Sequence, residues 1–70
     1  MPLTFAPIGE KKIVTAFHGS EDMKRHLQDL GFMRGQEVEV LSENASGMIL
    51  LVKGTRIALN RGLAQKIMVN

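Results

Sequence analysis

The stretch Leu30-Gly31-Phe32-Met33-Arg34-Gly35-Gln36-Glu37-Val38-Glu39-Val40 decides how this chain folds. One periodicity ends in it and another begins. Upstream, Met23, Leu27 and Leu30 recur at i, i+4 and i+7, the spacing of one helical face. Downstream, Val38 and Val40 alternate with Glu37 and Glu39, the pattern of a strand with one buried and one solvated face. Two glycines bracket the turn between them, and Gly31 suits the position just beyond a helix, where a left-handed backbone is common. Ser20 is placed to cap the helix, its hydroxyl reaching a free backbone N–H. Glu21 and Asp22 put negative charge in the first turn, where the helix dipole favours it. The reading is a helix over about residues 21–30, a tight turn, and a strand from Gln36 to Leu41.

Working outward, Lys12 to Phe17 reads as a strand rich in β-branched and aromatic residues. Residues 1–10 read as extended or loop, because Pro2 and Pro7 oppose a helix. Ser42 to Gly47 is a polar turn, and Met48 to Val52 is a run of apolar residues. Lys53-Gly54-Thr55 makes a short turn into a strand at Arg56 to Leu59, which together read as a hairpin. Arg61 to Gln65 suits one helical turn, and Lys66 to Val69 a last short strand with Ile67 and Val69 inward. Leu27, Leu30, Val38, Val40, Ile57 and Ile67 are the expected core. Strands this short, in a chain this small, remove their exposed edges by curling up. The expected fold is mostly β: a small SH3-like five-stranded barrel with one inserted helix, a single domain over residues 1–70.

Composition narrows the function classes. The chain has 70 residues, 44% of them hydrophobic and 23% charged, which fits one folded domain rather than a disordered tail. No apolar run approaches the roughly 18 residues needed to span a bilayer, so direct membrane insertion is not expected. A basic segment followed by an apolar one, the mark of a secretory signal, is not apparent. Cysteine is absent, which removes disulfides, thiolate metal sites and thiol nucleophiles and points to a cytoplasmic setting. Net charge is +2, but residues 1–43 carry five basic and seven acidic side chains, while residues 44–70 carry Lys53, Arg56, Arg61 and Lys66 and no acid. That asymmetry suits either a solvated strand face or an acidic partner.

The motif Leu30-Gly31-Phe32-x-x-Gly35-x-x-Val38-x-Val40, preceded by an arginine-bearing helix, resembles the signature of the FeoA family of ferrous iron transport proteins. The ending Ile57-Ala58-Leu59-x-x-x-Leu63-Ala64-x-x-Ile67-x-Val69 is similar to that family's C-terminal pattern. The resemblance implies a small cytoplasmic SH3-like domain. It also implies an accessory or regulatory role beside FeoB, a membrane protein that imports ferrous iron and has a cytoplasmic GTP-binding domain. One position departs from the pattern: Arg34 stands where many members have proline.

Candidate sites follow from residue chemistry. Catalysis has almost no support: the serines lack a Gly-x-Ser-x-Gly context, and no phosphate-binding glycine loop occurs. The reading is therefore a binding protein, not an enzyme. Alternation along Met48 to Val52 turns either Met48, Leu50 and Val52 or Ile49 and Leu51 outward. Burial on both faces competes there with an exposed docking strip. Phe32 and Met33 could extend that strip, and the expected partner-contact residues are Phe32, Met33, Arg34, Ile49 and Arg56. With neither Trp nor Tyr, a proline-peptide groove is not expected. His18, Asp22 and His26 are weak candidates for a surface site for a divalent metal such as iron or zinc. Two ordinary exposed histidines explain the same residues, and no cofactor is required. The alternative readings are a nucleic-acid-binding barrel, or a weak divalent-metal-binding sensor using His18 and His26. Lysine-rich loops and stacking aromatics are missing, and Glu37, Glu39 and Glu43 would repel phosphate.

Overall fold

The computed structural model describes all 70 residues. Five antiparallel strands carry the alternation: β1 Lys11–Phe17, β2 Glu37–Glu43, β3 Gly47–Val52, β4 Thr55–Asn60 and β5 Ile67–Val69. Helix α1, Glu21–Asp29, lies between β1 and β2, and one-turn helix α2, Arg61–Ala64, lies between β4 and β5. The strands lie side by side in the order β4-β3-β2-β1-β5. β1 is shared between two partners: Lys11 to Ile13 pair with β2, and Val14 to Phe17 pair with β5. Register shifts between Val14 and Ala16 on β1, and between Val40 and Ser42 on β2, mark bulges. Bulges bend a strand and increase its twist, so the single sheet curls around a core. The result is the expected SH3-like architecture with one inserted helix.

Val38 and Val40 of β2, Met48, Leu50 and Val52 of β3, and Ile67 and Val69 of β5 all face the core, and no polar side chain is buried. β3 is therefore one-sided: Ile49 is exposed and Leu51 half-buried on the outer face. Leu27 is the one buried residue of α1.

Three expectations need correction. Residues 1–10 are not simply extended. A 3₁₀ turn at Leu3–Phe5 sits between the two prolines and buries Leu3 and Ala6. The Val69 N–H donates to the Met1 carbonyl at 2.7 Å, and Pro2 bridges to Met68, so the N-terminal segment extends the β5 edge. Leu30 is no core residue. It is the C-cap of α1 and stays 36% exposed, because the chain reverses at Gly31 before its side chain can reach inward. Ile57 is only half-buried, at the edge of the core.

Candidate functional site

Two turns built on glycine shape the connection from α1 to β2. At the first, Gly31 has φ +108°; its N–H donates to the Gln28 carbonyl at 2.9 Å and the Phe32 N–H to the Leu27 carbonyl at 3.1 Å. This pair of bonds is the Schellman motif, which brings the residue after the glycine onto the helix's last apolar residue. Phe32 and Leu27 are accordingly both fully buried in one cluster. Phe32 thus belongs to the core, and its expected place on a contact surface is corrected.

At the second turn, the Gln36 N–H donates to the Met33 carbonyl at 3.0 Å and Gly35 has φ +85°. A positive φ at the third residue is the mark of a type II turn, with Arg34 at its second position. β1 clamps this turn from beside. The Gly35 N–H donates to the Val14 carbonyl at 2.8 Å, and the Val14 N–H to the Gln36 carbonyl at 2.9 Å.

The clamped turn holds Met33 and Arg34 outward. Met33 is 55% exposed, and the Arg34 guanidinium has no acidic partner. Both border a groove of about 520 Å³ whose other walls are Phe17 at the end of β1 and Lys24 and Gln28 of α1. The end of β1 is fixed there by the His18 N–H donating to the Lys66 carbonyl at 2.8 Å. Ser20 caps α1 as expected, accepting from the Met23 N–H at 3.2 Å. Lys24 and Gln28 are one helical turn apart, so they line the same side of the groove.

Ile49 and Arg56 lie elsewhere, on the outer face of β3 and β4. Ile49 stands opposite Ala58, and Arg56 opposite Leu51. Ile49 borders a separate polar depression with Ser42, Asn44 and Asn60. Of the five expected contacts, then, Met33 and Arg34 share a groove, Ile49 and Arg56 share a sheet face, and Phe32 is inside. Phe17, Lys24 and Gln28 are the groove residues that sequence reading missed. The helical i, i+4 spacing of Lys24 and Gln28 was the available signal.

The charge asymmetry along the chain is only partly offset in space: none of Lys53, Arg56, Arg61 and Lys66 forms an ion pair, and two of them lie near acids. Lys53 borders the same shallow depression as Glu37 and Glu39, and Leu51 of β3 pairs with Glu39 on one side and Arg56 on the other. His18, Asp22 and His26 are all exposed, and no three of the His, Asp and Glu side chains converge on one point. Asp22 lies 3.5 Å from Arg25 instead. The three weak candidates do not make a ligand set.

The FeoA domain model matches residues 1–70. The chain belongs to the FeoA domain family. It is 37% identical over 68 residues to a Methanocaldococcus jannaschii protein named as Fe(2+) transport protein A, covering 97% of this chain and 83% of that one. The crystal structure of an iron uptake regulatory protein, FeoA, superposes with a TM-score of 0.92 at 32% identity, over 100% of this chain and 95% of that one. A zinc-complexed FeoA from Stenotrophomonas maltophilia, described as an SH3 domain protein, gives a TM-score of 0.84 at 26% identity, over 100% and 89% of the two chains. FeoA is a transport accessory domain and not a known enzyme family. The zinc belongs to that relative; in this chain the acids and histidines do not gather around one point.

Proposed function

We propose that this FeoA-family protein is a cytoplasmic accessory and regulatory protein of ferrous iron uptake, acting by binding the cytoplasmic part of a FeoB-type transporter. The match of the FeoA domain to the whole chain carries this reading. The Stenotrophomonas maltophilia relative has itself been considered as a ferrous iron transport activating factor. No helix is long and apolar enough to cross a membrane, and the proposal assigns the passage of iron to the partner. The groove beside Met33 and Arg34 is the docking site in this reading, because it joins exposed apolar surface to an unpaired cation held on a rigid turn. Arg56 and Ile49, on the sheet face, form a second point of contact.

Binding to the full-length transporter in nanodiscs tests the proposal. The wild-type chain is expected to bind, and Arg34→Glu to bind about tenfold more weakly or worse, the loss of a charge-assisted contact. Arg56→Glu is expected to weaken binding less. No binding by the wild-type chain overturns the partner assignment. Equal binding by wild type and Arg34→Glu overturns the placement at the groove.

A further inference from the structure

The groove between α1, the end of β1 and the Met33–Gln36 turn has a composition that selects its occupant. Phe17 and Met33 supply apolar surface, and Met33 is among the most exposed large apolar side chains of the molecule. A flexible thioether adapts to differently shaped apolar partners. Lys24 and Arg34 line the same groove, and Gln28 offers a donor and an acceptor between them in type. One acid approaches: Glu21 lies 3.6 Å from Lys24, but its side chain is 85% exposed. Such a surface pair is worth little and exchanges readily for another carboxylate. Arg34 has no acid within 4.0 Å, and its planar guanidinium can take a carboxylate by two parallel hydrogen bonds.

We propose that this groove receives a short, extended acidic segment of a protein partner, one apolar side chain seating against Phe17 and Met33 while flanking carboxylates meet Arg34 and Lys24. This rests on the groove being the docking site and adds the chemistry of what docks. A groove of about 520 Å³ has room for a few side chains of a short segment. A basic segment would set like charges against Lys24 and Arg34. A proline-rich segment would need an aromatic-lined groove, and Phe17 is the one aromatic here. Single-stranded nucleic acid binds by stacking successive bases, which one half-buried phenyl ring does not support.

The test is a titration of the full ¹⁵N-labelled chain, followed by amide shifts, with three probes. These are the acetylated, amidated peptide Glu-Leu-Asp-Leu-Glu, its counterpart with lysine at every acidic position, and a short oligothymidylate. The acidic peptide is expected to shift the amides of Phe17, Lys24, Gln28 and Met33 saturably. Its Kd should rise with added salt and rise about tenfold or more in Arg34→Glu. Arg34→Pro, which the type II turn accommodates, removes the cation without disturbing the fold and should weaken the peptide likewise. Equal binding of the acidic and lysine peptides, or shifts confined to other surfaces, overturns the proposal. Oligothymidylate shifting the same amides at the same salt makes the groove a general anion site and also overturns it. Acidic peptide in the groove with no binding to the transporter leaves this inference standing and removes the transporter. Transporter binding that ignores Arg34→Glu, with the peptide silent, does the reverse.

Discussion

Arg34 occupies the second position of a turn whose third residue, Gly35, has φ +85°, and its backbone N–H donates to no carbonyl. Proline prefers that position in a type II turn, since its ring fixes a suitable φ and it has no N–H to lose. The arginine therefore adds little to the turn's own stability, and its free guanidinium is what distinguishes it. Arg34→Pro is expected to stabilise the fold by about 0.4–1 kcal/mol, through a less flexible unfolded chain, as denaturant melts would read. Phe32 gives the opposite result. Removing its buried ring is expected to cost about 3–5 kcal/mol. A domain of this size has little more than that in total, so Phe32→Ala should lose its cooperative thermal transition. A contact residue replaced by alanine would melt as wild type does. The placement of Phe32 was readable in principle, since a glycine and then an apolar residue after a helix is the Schellman pattern. Counting Phe32 with the exposed turn puts it on the wrong side of the surface, because its N–H bond to the Leu27 carbonyl turns it inward.

At the scale of elements, α1 and the sheet are held very differently. β2 and β3 exchange hydrogen bonds along their length and send Val38, Val40, Leu50 and Val52 into the core. α1 buries Leu27 alone, with Met23 partly packed against the same cluster, and its ends depend on the Ser20 cap and the Gly31 turn. A short helix with one anchor opens more easily than a central strand pair. Hydrogen exchange should show the α1 amides exchanging at least about tenfold faster than those of β2 and β3, by sub-global opening. Equal protection would mean that the helix and barrel open as one unit. These elements were legible in the sequence because each has a strong period: i, i+4, i+7 along Met23, Leu27 and Leu30, and alternation through Val38 and Val40. The N-terminal 3₁₀ turn was not, because three residues carry no period to read. Leu3 is buried through its position beside α2 and β5, which local sequence does not encode.

The groove belongs to the molecule as a whole. Phe17 comes from the end of β1, Lys24 and Gln28 from α1, and Met33 and Arg34 from the turn before β2. The clamp between Val14 and the Gly35–Gln36 backbone, with the Schellman bonds at Gly31, brings these three segments together. That explains why the sequence pointed to Met33 and Arg34 but not to their neighbours, and why it set Ile49 and Arg56 on the same surface when they lie on the sheet's outer face. Of the basic C-terminal stretch, Lys53 shares a depression with Glu37 and Glu39, while Arg61 and Lys66 have no acidic partner. Arg34 is one of five cations without an acidic partner, and the one of them that lines the groove with Phe17 and Met33, on a fold whose FeoA relatives are linked to iron uptake.

The most direct measurement is uptake of radiolabelled ferrous iron by cells of the native host that lack this gene. They would be complemented with the wild-type chain or with Arg34→Glu at matched expression. The wild-type chain is expected to restore uptake, and Arg34→Glu to restore clearly less of it despite an intact amide spectrum, down to about a tenth where the partner is far from saturating. Full restoration by Arg34→Glu, or no defect when the gene is absent, would contradict the account.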